Sequence, residues 1–214
     1  MVGKVSWGMS GNAVEAESFR RIDVEAPEHN FSEREWHVAR RLIHTTGDFS
    51  IIEELKFRND PIGAGLQALR RGATIFCDSN MARSGVSVAR LQRLNPAYEK
   101  SSIHCYIADP DVAAIAQERG CTRALAAVEK AKPILDGAIV LIGNAPLALA
   151  NIVRLSQEEN LRPALIIGIP VGFVNVTEAK EMLGETDIPH VVVEKRRGGS
   201  ALAVATLHGI IENA

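Results

Sequence analysis

Aromatic residues make up only 5% of this 214-residue chain: two tryptophans, two tyrosines and six phenylalanines. No platform of stacked rings for bases or sugars can be built from so few, and recognition has to rest on polar and backbone groups. Cysteine is scarcer still. Cys77, Cys105 and Cys121 are odd in number and lack CxxC spacing, which argues against a disulfide framework and a structural zinc site. Cys77 and Cys105 fall inside apolar strand patterns, where cysteine acts as a small hydrophobe rather than a nucleophile. An excess of one charge is missing as well. With 24 Lys+Arg against 26 Asp+Glu the net charge is −2, which leaves no electrostatic footprint for nucleic acid. The most apolar run, 138–142, is far too short to cross a bilayer, and residues 1–13 lack the apolar core of a signal peptide, so a cytoplasmic protein is expected. There is no P-loop, no HExxH, no GxSxG and no His/Cys/Asp cluster with metal spacing, so neither a metal nor a cofactor is expected.

What is present is the patterning of one α/β domain spanning 1–214, with no linker, repeat or low-complexity segment to divide it. Up to Arg71 the patterns are helical. Beyond it, short apolar runs at 73–77, 103–108, 138–142, 164–169 and 190–193 alternate with helical windows at 80–93, 111–119, 122–131, 146–160, 177–183 and 200–212. Near-continuous apolar runs of this length read as strands buried on both faces. The pattern predicts an open parallel sheet of five strands, helices on both faces and an N-terminal helical segment. In such sheets ligands collect at the carboxyl ends of the strands.

The most informative segment is Arg40-Arg41-Leu42-Ile43-His44-Thr45-Thr46-Gly47-Asp48. Ser32-Glu33-Arg34-Glu35 reads as a capping box, Trp36, Val38, Ala39, Leu42 and Ile43 form an apolar stripe, and Gly47 stops the helix. His44 therefore sits in the last turn beside guanidinium and hydroxyl groups, at a helix end whose partial negative charge suits a proton donor. A histidine that merely caps carbonyls has the same local sequence. At the fifth strand's exit, Lys195-Arg196-Arg197-Gly198-Gly199-Ser200 puts three cations before two glycines, with Ser200 able to cap the next helix, a geometry that attracts anions. In Gly143-Asn144-Ala145-Pro146, Asn144 is a natural N-cap and Pro146 a natural first-turn residue. Gly168 to Asn175 is richer in glycine and proline than a minimal connection needs and reads as a pocket wall. Gly63-Ala64-Gly65-Leu66-Gln67-Ala68 fits the GxGxxG/A pattern, but a turn precedes it instead of a strand and Asp78 follows it too early. Close helix-on-sheet packing explains its glycines more simply.

Read together and in order, GNAVEAESFRRI (11–22), RRLIHTTGDF (40–49), GCTRALAA (120–127), GNAPLALA (143–150), IIGIPVGFV (166–174) and RRGGSALA (196–203) resemble the precorrin-8X methylmutase / cobalt-precorrin-8 methylmutase family. The resemblance implies a three-layer flavodoxin-like domain that forms homodimers. It also implies an isomerase of cobalamin synthesis that moves a methyl group from C-11 to C-12 of a tetrapyrrole substrate, giving hydrogenobyrinate or cobyrinate, before hand-over to the next corrinoid enzyme. On the same footing, His44 is the catalytic residue, Ser18 and Arg41 line the substrate, and Arg123 lies near the dimer interface. Leu147 stands where a threonine often follows the GNAP proline, and TEAKE (177–181) replaces a more usual ESKE. A 1,5-sigmatropic shift needs no protein nucleophile and no redox cofactor, in keeping with the motifs that are missing. The substrate's many carboxylates call for cationic clamps, with Arg41 and Arg123 first and the KRRGGS turn third. Two other readings use the same residues: a non-catalytic corrinoid carrier, and a phosphate-ligand isomerase or dinucleotide enzyme resting on KRRGGS and GAGLQA.

Overall fold

The computed structural model describes residues 7–214; of the 1–13 stretch read for a signal peptide, residues 1–6 lie outside the described part. Two N-terminal helices, α1 (Gly11–Glu25) and α2 (Glu33–Thr46), lead through a short α3 (Ile51–Glu54) into the first strand, β1 (Leu55–Arg58). There follow α4 (Pro61–Arg70), β2 (Ile75–Cys77), α5 (Asn80–Gly85), α6 (Val88–Leu91), a 3-10 turn at Lys100–Ser102, β3 (Ile103–His104), α7 (Pro110–Arg119) and α8 (Arg123–Leu135). The chain finishes with β4 (Ile139–Ile142), α9 (Pro146–Glu158), β5 (Leu165–Gly168), α10 (Val176–Gly184), β6 (His190–Val193) and α11 (Ser200–Ile211).

The sheet is a correction to the sequence-based expectation. All five expected strands are present, in the order β6-β5-β4-β2-β3, and all their pairings are parallel. A sixth, β1, pairs antiparallel with β6 at the edge, so the sheet is mixed and six-stranded. Leu-Lys-Phe-Arg is short and half exposed, with only Leu55 buried, so it carries no continuous apolar run to betray it. The five parallel strands have the doubly wound order whose switch point, between β2 and β4, is where ligands of such folds usually bind.

Strand alternation sorts the core into layers. Ile139, Leu141, Leu165, Ile167, Val191 and Val193 pack with α2, α4 and α11 on one face. Val140, Ile142 and Ile166 pack with α8, α9 and α10 on the other. Because side chains alternate with period 2, each strand serves both layers and must be apolar throughout. Gly65 lets α4 approach the sheet: a Cβ there would lie 2.9 Å from the Leu165 side chain, the packing role expected for the GAGLQA glycines, whereas a Cβ on Gly63 would meet the capping Asp60 carboxylate instead.

One helix window and one strand run are cut short relative to expectation. The 80–93 window is broken at Val86-Ser87, where Gly85 packs against Val204 and Ser87 begins α6 by accepting from the Arg90 amide. The 103–108 run pairs only at Ile103 and Phe76's partner His104 before the chain leaves the sheet.

Candidate active site

The end of α2 forms as its sequence requires. Ser32 and Glu35 close a reciprocal capping box, and Gly47 ends the helix in the left-handed conformation at φ 65°, its amide donating to the Ile43 carbonyl. The apolar stripe of Val38, Ala39, Leu42 and Ile43 is buried, which leaves His44 and Thr45 exposed on the outer side of the last turn. Phe19 of α1 meets the His44 ring edge-on at 5.3 Å and lies beneath both guanidinium groups, 4.6 Å from Arg40 and 5.3 Å from Arg41. Asp23 ties the far end of α1 to α2 through Trp36 Nε1 at 2.8 Å and Arg40 at 2.7 Å. His44 is thus oriented by packing against a neighbouring helix.

Beside it, a cleft of about 320 Å3 opens between α2, α5 and α11, lined by Arg41, Thr45, Met81, Ser200, Val204 and His208. Ser18 stands one residue before Phe19, half-buried, and its hydroxyl makes no hydrogen bond among the described residues.

Arg41 differs from the role expected of it. Its guanidinium is held by Glu212 at 2.7 and 2.5 Å and by Glu15 at 2.9 Å, and the residue is 7% exposed. Arg90 of α6 joins the same two carboxylates. Arg41 lines the cleft with its Nε and Nη2 committed to these carboxylates, and its hydrogen bond holds Glu15 below the ordinary carboxylate range. No local signal could reveal this, because Glu212 lies 171 residues away in the chain. His208 was likewise invisible: its Nε2 accepts the Ser87 amide at 3.1 Å, and burial together with Arg90 and Arg41 pushes its pKa down to about 4, so the ring is neutral.

The basic turn is also spent internally. Lys195 pairs with Glu54 at 3.3 Å, and Arg197 pairs with Asp48 at 3.0 Å and Ser50 at 2.9 Å. Arg196 instead stacks on the exposed Phe173 at 5.1 Å. Ser200 does not cap α11; Gly199 holds the cap position at φ 135°, and the Ser200 hydroxyl pairs with Ser79 at 2.8 Å.

Nor does Asn144 cap α9. Asp78, 2% exposed, reaches over from the end of the neighbouring strand β2 and accepts the amides of Gly143, Asn144 and Ala145 at 3.1, 2.7 and 2.6 Å, in the turn that leads into α9. Burial pushes this carboxyl above the usual range, against the pull of the three amides. A Cβ on Gly143 would meet Ser200 Cα at 2.5 Å. The crevice at the switch point is therefore packed with protein.

Arg123 begins α8, exposed and without an ion pair among the described residues, beside a shallow cleft with α7. It stands on the opposite face of the sheet from His44, so a single chain does not bring the two together. Among the described residues, no group of three or more His, Cys, Asp or Glu side chains is placed to hold a metal ion, and no helix is long and apolar enough to cross a membrane.

A doubly wound α/β scaffold carrying an oriented imidazole, a cleft and a rim of polar loops defines a small-molecule enzyme site. The family model for precorrin-8X methylmutase matches residues 13–213. A cobalt-precorrin-8 methylmutase of Leptospira interrogans is 40% identical over 209 residues, covering 94% of this chain and 93% of the relative. A precorrin-8X methylmutase of Pseudomonas aeruginosa is 38% identical, with 94% of each chain covered. The crystal structure of the precorrin-8X methylmutase of Thermus thermophilus superposes with a TM-score of 0.85 at 45% identity, covering 94% of this chain and 95% of that one. The chain belongs to the precorrin-8X methylmutase family and is an isomerase of cobalamin biosynthesis. A role as mere carrier or as a dinucleotide enzyme has no support left.

Proposed function

We propose that this chain, as one methylmutase domain in the cytoplasm, moves the methyl group of precorrin-8 or cobalt-precorrin-8 from C-11 to C-12, with His44 as the acid–base group. The observation that carries the reading is the position of His44. Within a chain that matches the family almost end to end, it is an exposed imidazole fixed by Phe19 at the margin of an open cleft. In a 1,5-sigmatropic shift the methyl–C-11 bond breaks as the methyl–C-12 bond forms, and the π electrons redistribute within the macrocycle. No electrons leave the substrate. The protein's part is to hold one tautomer, exclude water and give or receive one proton, the last being worth about 10² to 10⁴ in rate. The Ser18 hydroxyl is free to bind the substrate beside His44, and Arg41 with its two carboxylates shapes the cleft wall.

A homodimer is part of this reading. The cleft of about 320 Å3 is small next to a corrin macrocycle, sites that enclose drug-sized ligands being roughly 300–1,000 Å3. His44 is open to solvent, and Arg123, an exposed cation without an ion pair among the described residues, lies on the far layer. A second copy that brings its Arg123 to a substrate carboxylate would close the site and supply the clamp that Arg41 does not. Mixing His44→Ala with Arg123→Ala protein tests it: random exchange of subunits restores about one quarter of wild-type activity if the arginine acts across the interface, and none if it acts within one chain. Release of a polyacidic product held by so few direct cations suits hand-over to the next corrinoid enzyme.

A further inference from the structure

A groove of about 420 Å3 runs between the edge strand β1 and α10, on the sheet face opposite α2. The methyl shift uses nothing in it. Antiparallel pairing sets Arg58 across from His190 and Lys56 across from Val192, so the same face of both strands floors the groove. Lys56, Arg58, Lys180 and Lys195 line it against the two carboxylates Glu181 and Glu194, which leaves an excess of positive charge.

Its polar groups are unusual in what they leave unused. His190 is fully buried, and its Nδ1 lies 2.7 Å from the Ile188 carbonyl. A carbonyl only accepts, so Nδ1 carries the proton and donates, and Nε2, at the end of the ring farther from the main chain, presents a lone pair. That atom is buried and has no hydrogen-bond partner in the protein. Burial and the nearby Arg58 lower the basicity of the ring and keep Nε2 an acceptor. Arg58 is exposed and makes no ion pair among the described residues. Lys180, 4% exposed, donates from Nζ to the Lys195 and Arg197 carbonyls at 2.8 and 2.7 Å, which leaves one of its three N–H groups unassigned.

We propose that the β1–α10 groove binds a small oxyanion that also carries an O–H group, of the hydrogen phosphate type. The O–H donates to His190 Nε2, and the charged oxygens accept from Arg58, which the strand pairing sets directly across from it. A buried acceptor rejects a ligand that cannot donate to it, so the site selects for the hydroxyl as well as for the charge.

Isothermal titration with inorganic phosphate near pH 7, run beside sulfate at equal ionic strength, tests the assignment. Sulfate matches the size and charge but has no proton to give. The expected result is saturable binding of phosphate, with sulfate and the Arg58→Ala protein each weaker by about tenfold or more, as loss of a charge-assisted hydrogen bond implies. His44→Ala protein binds phosphate like the wild type, which separates the groove from the cleft by α2. Equal binding of the two anions, unchanged binding by Arg58→Ala, or no saturable heat with phosphate overturns the proposal.

Discussion

Two regions of the same rim meet opposite fates. Between β2 and β4, at the switch point where doubly wound sheets usually take their ligands, Asp78, Gly143 and Ser200 fill the crevice with the protein's own atoms. At the end of α2, a helix that precedes the parallel sheet altogether, the packing stops short and leaves His44, Thr45 and a cleft open. The carboxylate of Asp78 takes up the backbone amides of the turn between β4 and α9, which an anionic ligand could otherwise use. Ser200 borders both regions, with its backbone against Gly143 on one side and the open cleft on the other.

Removing the imidazole has the largest expected effect. His44→Ala lowers the conversion rate by about 10² to 10⁴ while tetrapyrrole binding persists; absorption spectroscopy follows both, and an unchanged rate ends its role as acid–base group. Breaking the seal comes next. Asp78→Ala strands two buried amides and a part-buried one and costs about 3 kcal/mol of unfolding free energy, read from urea titrations.

The third concerns pH. His208 has a folded pKa near 4, below the unfolded value of 6.5, so the folded state disfavours the charged ring. Its neutral-state stability is present above pH 6.5 and is lost as the pH falls toward 4, where the unfolded chain binds the extra proton. Between pH 7 and pH 4.5 the wild type should therefore lose about 2–3 kcal/mol more than His208→Gln, as that shift implies. Equal losses would show that the ring is charged in the fold. The smallest effect is at Phe19: Phe19→Leu keeps the helix contact but frees the His44 ring, lowering kcat by roughly tenfold or less with KM unchanged.

The sequence was legible where structure is local. The Ser32–Glu35 box, the Gly47 stop and the five parallel strands follow from spacing and period, which operate within a few residues. Legibility ended where partners come from far along the chain. Glu212 and Glu15 engage Arg41, Asp78 takes the amides of the turn before α9, and Glu54 and Asp48 pair with Lys195 and Arg197, none of which leaves a trace beside the residue affected. Strand β1 escaped for a different reason: an edge strand buries only part of one face and needs no apolar run. His44 was singled out by a readable helix end and by the family resemblance, and Ser18 by the resemblance alone, whereas Arg123 stands on the other face of the sheet, where no pattern within one chain links it to them.

The central claim is that chemistry occurs at the shoulder of α2 and not at the switch point. A crystal structure with the corrinoid product bound tests it directly. The account expects the macrocycle to lie within hydrogen-bonding reach of the His44 ring, with Asp78 still holding its three amides. A macrocycle seated between the carboxyl ends of β2 and β4, with His44 turned away to solvent, would contradict it.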